Sequence, residues 1–271
     1  MQQGKNNKIW LVVKLLFYIY VGAGLIAFLV QDLLIFHPTR LPPNHKFVFS
    51  EPFTELNIKV SEGRNVNIIK FSSSMPAKGL VLFFHGNMRN IERYAGYATL
   101  LTKRHYDIWM IDYPGFGKST GKATEQNMYA DAVMLYNMAG KTFAPIDIII
   151  YGKSLGTGVA SYLSAQRRCK NLILETPYYS MKDLARHYLM LYPTNLLIKY
   201  SFPTNEHLKL TPAPVTIFHG TEDEVIPYKQ SIKLAAENPS VELVTIENGK
   251  HNNLSQFPLF AKKLDSALRI Q

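Results

Sequence analysis

The stretch Ile148-Ile149-Ile150-Tyr151-Gly152-Lys153-Ser154-Leu155-Gly156 decides the fold of this chain. The apolar run before Gly152 predicts a buried strand, and the small residues after Gly156 predict a helix. A Gly-x-Ser-x-Gly pattern between a strand and a helix forms a sharp turn. Its glycines leave room for a serine hydroxyl that points away from the sheet. The stretch therefore predicts Ser154 as a catalytic nucleophile.

A phosphate-binding loop is the alternative interpretation, because Gly-Lys-Ser occurs at 117–119 as well as at 152–154. Such a loop also needs a glycine five positions before the glycine of Gly-Lys-Ser, so that backbone amides can surround the phosphate. Asp112 and Asp147 occupy those two positions. The sequence therefore excludes both candidates, and we interpret Asp112 as a structural loop residue.

Short apolar runs alternate with helical patterns along the chain from Leu80 onward. This alternation predicts an α/β protein with a mostly parallel eight-stranded sheet and helices on both faces. The predicted strands are Leu56–Val60, Val66–Phe71, Leu80–Phe84, Ile108–Ile111, Ile146–Tyr151, Leu172–Leu174, Val215–Phe218 and Val241–Ile246. The predicted helices are Ile91–Arg104, Thr124–Ala139, Leu155–Gln166, Tyr228–Glu237 and Asn252–Leu268.

An activated serine needs a base, and the base needs a carboxylate that orients it. In strand–serine–helix proteins of this kind the acid and then the histidine follow the serine, each in a loop after a strand. Asp223 follows the seventh predicted strand, and His251 follows the eighth. We therefore predict a triad of Ser154, Asp223 and His251. The alternative acids are Glu222, Glu224 and Glu175.

The negative charge that develops on a substrate carbonyl oxygen needs two N–H donors. One is predicted at Leu155, directly after the nucleophile, and the other in the loop after the third strand, at Asn87 with Met88 as second choice. His85 and His219 end strands in front of glycines, and we interpret them as structural side chains bonded to backbone. No histidine pair has the His-x-x-x-His spacing of a metal site, so the sequence predicts no metal and no cofactor.

An uncharged segment, residues 15–30, lies near the N-terminus between Lys14 and Asp32. About 20 apolar residues cross a bilayer, so this segment predicts one uncleaved membrane-spanning helix. A cleaved signal peptide is the alternative. It needs small residues just after the apolar core, whereas Gly22-Ala23-Gly24 lies in the middle of this one.

The predicted division of the chain is a membrane anchor over 1–36, a linker over 37–50 and an α/β domain over 51–271. Lysines in front of the apolar segment slightly favour a catalytic domain on the non-cytoplasmic side. All the proposed site residues lie in the α/β domain. The sequence therefore predicts that deletion of residues 1–36 leaves a soluble and still active domain.

The chain carries 30 Lys and Arg against 20 Asp and Glu, a formal charge of +10. A nucleic-acid-binding surface gathers basic residues into a stripe with exposed aromatic residues, and here they are scattered. The charge therefore predicts a solvated surface beside an anionic membrane, without a nucleic-acid partner. The single cysteine, Cys169, excludes an intrachain disulfide.

Six motifs follow one another in order along the chain: Leu34-Ile35-Phe36-His37-Pro38, His85-Gly86-Asn87 with Asn90, Asp112-Tyr113-Pro114-Gly115-Phe116-Gly117, the serine elbow, the loop of Asp223 with Pro227, and Gly249-Lys250-His251-Asn252. They resemble the membrane-anchored small-esterase branch of the α/β-hydrolase superfamily, which includes bacterial inner-membrane hydrolases and eukaryotic protein depalmitoylases. The resemblance implies the α/β-hydrolase fold and a serine triad. Two features depart from it: Met88 replaces a more usual small residue, and the depalmitoylases' N-terminal cysteine cluster is absent.

The same resemblance implies a short helical cap over the site at residues 177–212, which are rich in Tyr, Leu and Met. This apolar insertion either accepts an acyl chain and touches the bilayer, or packs as an ordinary helical segment. The predicted function is hydrolysis of a carboxylic ester or thioester of a small or lipid-like acyl substrate. A peptidase or amidase with the same triad, and a non-catalytic scaffold, are the alternatives.

Overall fold

The computed structural model describes residues 2–269, with side chains from residue 7 onward. The chain forms ten strands within this range. They are β1 (His37–Pro38), β2 (Phe53–Ser61), β3 (Arg64–Phe71), β4 (Leu80–Phe84), β5 (Met88–Arg89), β6 (Asp107–Ile111), β7 (Ile148–Lys153), β8 (Asn171–Glu175), β9 (Val215–Gly220) and β10 (Val241–Ile246).

Eight of these strands form one sheet in the order β10-β9-β8-β7-β4-β6-β3-β2, and β1 pairs with β5 separately. Neighbouring strands from β10 to β6 run parallel, whereas β3 runs antiparallel to both β6 and β2. The structure confirms the predicted mostly parallel eight-stranded sheet. The carboxyl ends of β4, β7, β8, β9 and β10 meet at one edge, where the loops with the predicted site residues lie.

Ten α-helices accompany the strands between residues 2 and 269. They are α1 (Gln2–Ile35), α2 (Ile91–Tyr94), α3 (Gly96–Thr102), α4 (Glu125–Ala139), α5 (Gly156–Gln166), α6 (Met181–Tyr188), α7 (Thr194–Leu197), α8 (Thr204–Leu210), α9 (Lys229–Glu237) and α10 (Pro258–Arg269).

Both faces of the sheet are covered by helices, as predicted. Along β4, Leu82 and Phe84 belong to a core with α4 and α5, whereas Val81 and Phe83 belong to a second core with α3 and α10. Successive residues of a strand point to opposite faces, so a strand covered on both sides has to be apolar at every position. This explains the unbroken run of apolar residues in β4.

Two predicted helices are shorter or divided in the structure. The segment Ile91–Arg104 forms α2 and α3 instead of one helix, and they meet at Gly96, a residue of low helix propensity. The last helix begins at Pro258, after a 3-10 turn over Leu254–Gln256. Proline suits the first position of a helix, because an N–H group at this position would have no hydrogen-bond partner within the helix.

Helix α1 contains a 29-residue segment, Asn7–Ile35, that is long and apolar enough to cross a membrane. At 1.5 Å per residue it measures about 43 Å, more than the roughly 30 Å of a bilayer core. The side chains from Asn7 to Tyr20 are all exposed. From Tyr20 onward, one side of the helix packs against the segment that contains α6 and α7.

The predicted linker after α1 is extended, and backbone hydrogen bonds join its first residues to the α/β domain. The N–H of His37 donates to the Asn87 carbonyl at 2.9 Å, and the N–H of Thr39 donates to the Arg89 carbonyl at 2.9 Å. Arg40 pairs further along with Gly117. These bonds satisfy the polar backbone of the segment and fix the end of α1 beside the loop after β4.

Candidate active site

Ser154 lies on a strained turn between β7 and α5. Its φ is +51°, in the left-handed region that non-glycine residues rarely adopt. The serine N–H donates to the Glu175 carbonyl of β8 at 2.9 Å. A Cβ at Gly152 would lie 2.6 Å from the Gly156 carbonyl oxygen, and one at Gly156 would overlap the Phe84 carbonyl oxygen. Both positions therefore require glycine, as the sequence pattern predicted.

The structure brings the three predicted triad residues together. His251 Nε2 lies 3.0 Å from Ser154 Oγ, and His251 Nδ1 lies 2.8 Å from Asp223 Oδ2. All three side chains are buried. The imidazole is therefore placed to accept the serine proton on one nitrogen while its other N–H donates to the carboxylate.

Asp223 is held as a carboxylate by its surroundings. Oδ1 accepts the N–H groups of Val225 at 2.8 Å and Ile226 at 2.7 Å. Oδ2 faces both His251 and His219 Nε2, the latter at 3.2 Å. Burial alone would raise the pKa of Asp223, but the hydrogen bonds from His219, His251 and the Ile226 N–H outweigh it. The pKa of Asp223 therefore lies well below its ordinary value.

His219 makes the backbone bond that the sequence predicted, and it also contacts Asp223, which the sequence did not indicate. Its Nε2 lies 2.8 Å from the Ile226 carbonyl, and its Nδ1 lies 2.6 Å from Ser231 Oγ. These bonds agree with a structural side chain bonded to backbone, but the ring also touches Asp223. His85 is buried with Nδ1 2.7 Å from the Gly86 carbonyl. Only the fold shows that one of these two histidines lies beside the acid.

Glu175 is engaged elsewhere and does not contact the imidazole of His251. Its carboxylate accepts hydrogen bonds from Lys153 Nζ at 2.6 Å and from the hydroxyls of Tyr97 and Tyr151 at 2.7 and 2.5 Å. Lys153 Nζ also donates to the His251 carbonyl at 3.1 Å. Lys153 thus holds the loop that contains His251. The sequence did not indicate this role, because Lys153 occupies a variable position of the Gly-x-Ser-x-Gly pattern.

The two glutamates beside Asp223 lie outside the serine–histidine hydrogen bonds. Glu224 accepts the backbone N–H of His251 at 3.4 Å, so it touches the loop and not the ring. Glu222 is exposed at the surface, and its N–H donates to the Gly249 carbonyl. Of the four predicted acids, Asp223 is therefore the one whose carboxylate reaches the imidazole.

The two predicted oxyanion donors lie on the loops that border Ser154. Within residues 2–269, the backbone N–H groups of Leu155 and Asn87 donate to no other protein group. The side-chain amide of Asn87 is engaged, because Nδ2 donates to the Ile35 carbonyl at 3.0 Å. Asn87 thus has its backbone N–H left for a ligand, and the last turn of α1 holds its side chain.

A cavity of about 520 Å³ opens over Ser154. This volume lies within the roughly 300–1,000 Å³ of small-molecule sites. The residues of α6 and its surroundings that line it are apolar, including Met181, Leu184 and Leu189. Ala27 and Leu34 of α1 line the same cavity, although none of the predicted site residues lies in the N-terminal segment.

The predicted cap divides into two parts in the structure. Helix α6, together with Leu189 after it and Ile198 just after α7, borders the cavity. Helix α8 packs against α5 instead and belongs to the body of the domain. We therefore call residues 181–198 the cap from here on. Three apolar residues of the cap, Met190, Leu191 and Leu196, are 82–83% exposed.

Ser154 lies on a strand–turn–helix elbow above a parallel sheet. It is bonded to a histidine from a later loop, and this histidine is bonded to an acid from another loop. This arrangement defines a class of protein, the α/β-hydrolases. Comparison with known proteins agrees with this class. The model of the serine aminopeptidase S33 family matches residues 75–204. Alpha/beta hydrolase domain-containing protein 17B of Homo sapiens is 30% identical over 216 residues, 76% of this chain and 72% of the human one.

Protein 17C of the same series, from Xenopus tropicalis, is 30% identical over 193 residues, which cover 68% of this chain. This chain spans 59% of the length of the frog protein. The chain therefore belongs to the α/β-hydrolase superfamily, and within it is similar to the alpha/beta hydrolase domain-containing proteins 17.

Solved structures share the fold at low sequence identity. An esterase of Pyrococcus furiosus superposes with a TM-score of 0.68 at 16% identity, covering 87% of this chain and 97% of the esterase. An alpha-beta hydrolase of Vibrio vulnificus gives 0.67 at 21% identity, with 79% and 81% covered. Est1E of Butyrivibrio proteoclasticus, solved with ferulic acid, gives 0.62 at 19% identity, with 79% and 96% covered.

Proposed function

We propose that this hydrolase is a membrane-anchored serine enzyme that cleaves a carboxylic ester or thioester through an acyl-enzyme on Ser154. One observation carries the proposal. The hydrogen-bonded series Ser154 Oγ, His251 and Asp223 lies at the floor of an apolar cavity. A nucleophile with its base needs a carbonyl substrate, and apolar walls favour an acyl group.

In the proposed reaction, Ser154 Oγ attacks the carbonyl carbon while its proton passes to His251 Nε2. The N–H groups of Leu155 and Asn87 bind the oxygen that becomes negative. His251 then gives the proton to the departing alcohol or thiol, and the acyl group remains on the serine. Water attacks this ester with His251 as base, which releases the carboxylic acid and restores the serine. Asp223 stabilises the imidazolium in both steps.

The acyl-chain side of the proposal rests on the cap. Leu184 and Leu189 line the cavity above Ser154, and no lysine or arginine lines it among the side chains of residues 7–269. Burying an apolar chain against such walls contributes about 0.8 kcal/mol for each methylene. We therefore expect the kcat/KM of acyl esters to rise about fourfold per added methylene until the cavity is filled.

We predict that long acyl esters and thioesters are the preferred substrates. The measurement is kcat/KM of the full-length protein on esters and thioesters with 2 to 16 acyl carbons, and on aminoacyl amides. We expect amides to be at least about 10²-fold slower, about 2.7 kcal/mol of barrier. Leu189→Asp should abolish the rise with chain length, whereas Leu210→Asp on the exposed surface of α8 should leave it unchanged.

Amide hydrolysis is the second candidate, because the matched family model is that of a serine aminopeptidase. The same serine and histidine can attack an amide carbonyl. Faster turnover of the aminoacyl amides would favour this function. If acetyl and butyryl esters are the best substrates and Leu189→Asp changes nothing, the enzyme acts on small soluble esters.

The proposed location is a membrane that α1 crosses once, with the catalytic domain on the non-cytoplasmic side. We expect full-length chain in the membrane pellet after alkaline carbonate extraction. The matched control is a Leu16→Arg, Leu25→Arg double variant. Each arginine in the middle of a membrane helix costs about 3 kcal/mol, so this variant should be released. Release of the unmodified chain by carbonate would show that α1 does not span the membrane.

A further inference from the structure

One face of α1 lies against the catalytic domain. Its residues are Tyr20, Gly24, Ala27, Gln31 and Ile35, spaced by three or four positions. This spacing places side chains on one stripe of a helix. Whereas the residues between them are mostly exposed, Gly24 and Gln31 are buried and Ala27 and Ile35 are half-buried. The stripe is therefore an interface with the rest of the chain.

The N-terminal end of the stripe contacts the cap closely. The rings of Tyr20 and Tyr192 stack with centroids 4.5 Å apart, and the Tyr20 hydroxyl donates to the Leu191 carbonyl at 2.7 Å. A Cβ at Gly24 would lie 2.8 Å from the Tyr192 ring. The glycine thus allows the ring to lie against the helix backbone, and the contact fixes the distance between α1 and the cap.

Gln31 fixes the position of the middle of the stripe relative to residues 197–199. Its Nε2 donates to the Leu197 carbonyl at 3.3 Å, and its Oε1 accepts the Lys199 N–H at 2.8 Å. The next residue of α1 is bonded as well, because the Tyr200 hydroxyl donates to Asp32 Oδ1 at 2.8 Å. A buried amide that is bonded on both sides loses these bonds if the helix slides or turns, so the position of α1 on the cap is specific.

The same stripe forms one wall of the cavity over Ser154. Ala27, Gln31 and Ile35 line it on the α1 side, and Leu189 and Ile198 of the cap are among the residues opposite. Ile35 lies at the catalytic end, because its carbonyl accepts the Asn87 side chain. Ala27 lies two turns away, about 12 Å along the helix. A small residue at that position leaves space between α1 and the cap.

The level of the cap relative to the bilayer indicates what fills this space. The part of α1 that precedes the stripe, Asn7–Ile19, measures about 20 Å, too short for a bilayer core of about 30 Å. The membrane-crossing part of α1 therefore includes the turns that pack on the cap. The end of the cap beside these turns then enters the hydrocarbon layer of the bilayer. Its exposed Met190, Leu191 and Leu196 suit that position. The occupant of the cavity is then an acyl chain that comes from the bilayer.

We propose that α1 is a wall of the acyl-binding site and that the small side chain of Ala27 lets acyl chains of more than about ten carbons extend past it. The proposal rests on the acyl-transfer function proposed above. A zigzag chain with carbon–carbon bonds of about 1.5 Å covers 12 Å in about ten carbons. Chains of up to about ten carbons fit along the two turns of α1 between Ile35 and Ala27, and longer ones pass beside the Ala27 methyl group.

The test uses full-length protein in phosphatidylcholine vesicles with the ester series of 2 to 16 carbons. Ala27→Leu and Ala27→Phe should lower kcat/KM for the 12- to 16-carbon esters by about tenfold and a hundredfold, and leave the 4-carbon ester within twofold. The matched control is Ala23→Phe. Ala23 lies one turn earlier, is exposed and does not line the cavity, so its profile should stay that of the unmodified protein.

Two measurements separate the possible failures. If the unmodified protein hydrolyses no ester and no thioester, the proposed function fails. If it hydrolyses them, but Ala27→Phe and Ala23→Phe give the same chain-length profile, the inference about α1 is overturned. Loss of the 4-carbon activity in Ala27→Phe would likewise overturn it, provided that Ala27→Leu shows the same uniform loss. A fluorophosphonate probe counts competent sites, so each rate is referred to folded enzyme.

Discussion

Replacement of Ser154 by alanine is expected to lower kcat at least about 10⁴-fold while the protein folds normally. The hydroxyl is the only group above the sheet that lies within hydrogen-bond distance of His251 Nε2, among the described residues. Without it, no acyl-enzyme forms, and the remaining binding groups accelerate direct attack by water only weakly. Alanine fits the elbow, since the serine Oγ bonds only to the imidazole within the described part of the chain.

The measurement combines turnover with labelling by a fluorophosphonate, which reacts only with an activated serine. The unmodified protein should be labelled, and Ser154→Ala should not. Ser164→Ala is a matched control, because Ser164 is a buried serine at the other end of α5 that contacts Cys169. It should keep full labelling and near-normal turnover. Labelling that persists in Ser154→Ala would show that another residue is the nucleophile.

The parts of the fold that local patterns describe were predictable from the sequence. The β7–Ser154–α5 unit follows from an apolar strand and two glycines that nothing larger can replace. The alternation of strands and helices after Leu80 predicts parallel pairing, and parallel pairing brings the loops after β7, β9 and β10 to one edge. Asp223 and His251 could therefore be selected before any distance was known.

Long-range polar contacts could not be predicted, because their partners have no local signature. Lys153 and Glu175 sit at unremarkable positions, and only the pairing of β7 with β8 places their side chains 2.6 Å apart. In the same way, Gln31 ends an apolar segment and Gly24 lies inside it, so both resemble ordinary residues of a membrane helix. Their role depends on cap residues more than 160 positions away.

The contacts between α1 and the cap could not be predicted for the same reason. A hydropathy pattern describes how a helix relates to lipid, but it contains no information on a protein surface that covers one side. The bonds from His37 to Asn87 and from Asn87 to Ile35 join the end of α1 to the loop after β4. These hydrogen bonds hold the end of α1 beside the site, in addition to the α1 side chains that line the cavity.

Asp223→Asn is expected to lower kcat about 10⁴-fold, close to the effect of removing the serine. The hydrogen bonds decide which way the new amide points. The N–H groups of Val225 and Ile226 donate to Oδ1, so the asparagine oxygen remains there. Its NH2 group then replaces Oδ2 and faces His251 Nδ1, which lies 2.8 Å away.

An NH2 group at this position donates to Nδ1 and requires that nitrogen to be unprotonated. The neutral imidazole must then carry its proton on Nε2, where it points at Ser154 Oγ and cannot accept the serine proton. The imidazolium that forms in the reaction also loses its carboxylate partner. Ground-state binding does not depend on either effect, so kcat should fall while KM stays nearly constant.

Glu222→Gln and Glu224→Gln provide the matched controls, because each removes one negative charge from the same loop without touching the ring. Glu224 bonds only to the His251 backbone N–H at 3.4 Å, and glutamine keeps an oxygen for that bond. Both controls should stay within about threefold of the unmodified enzyme, less than 1 kcal/mol. If Glu224→Gln is the inactive variant and Asp223→Asn is mild, then Glu224 orients the imidazole and the loop changes its register when substrate binds.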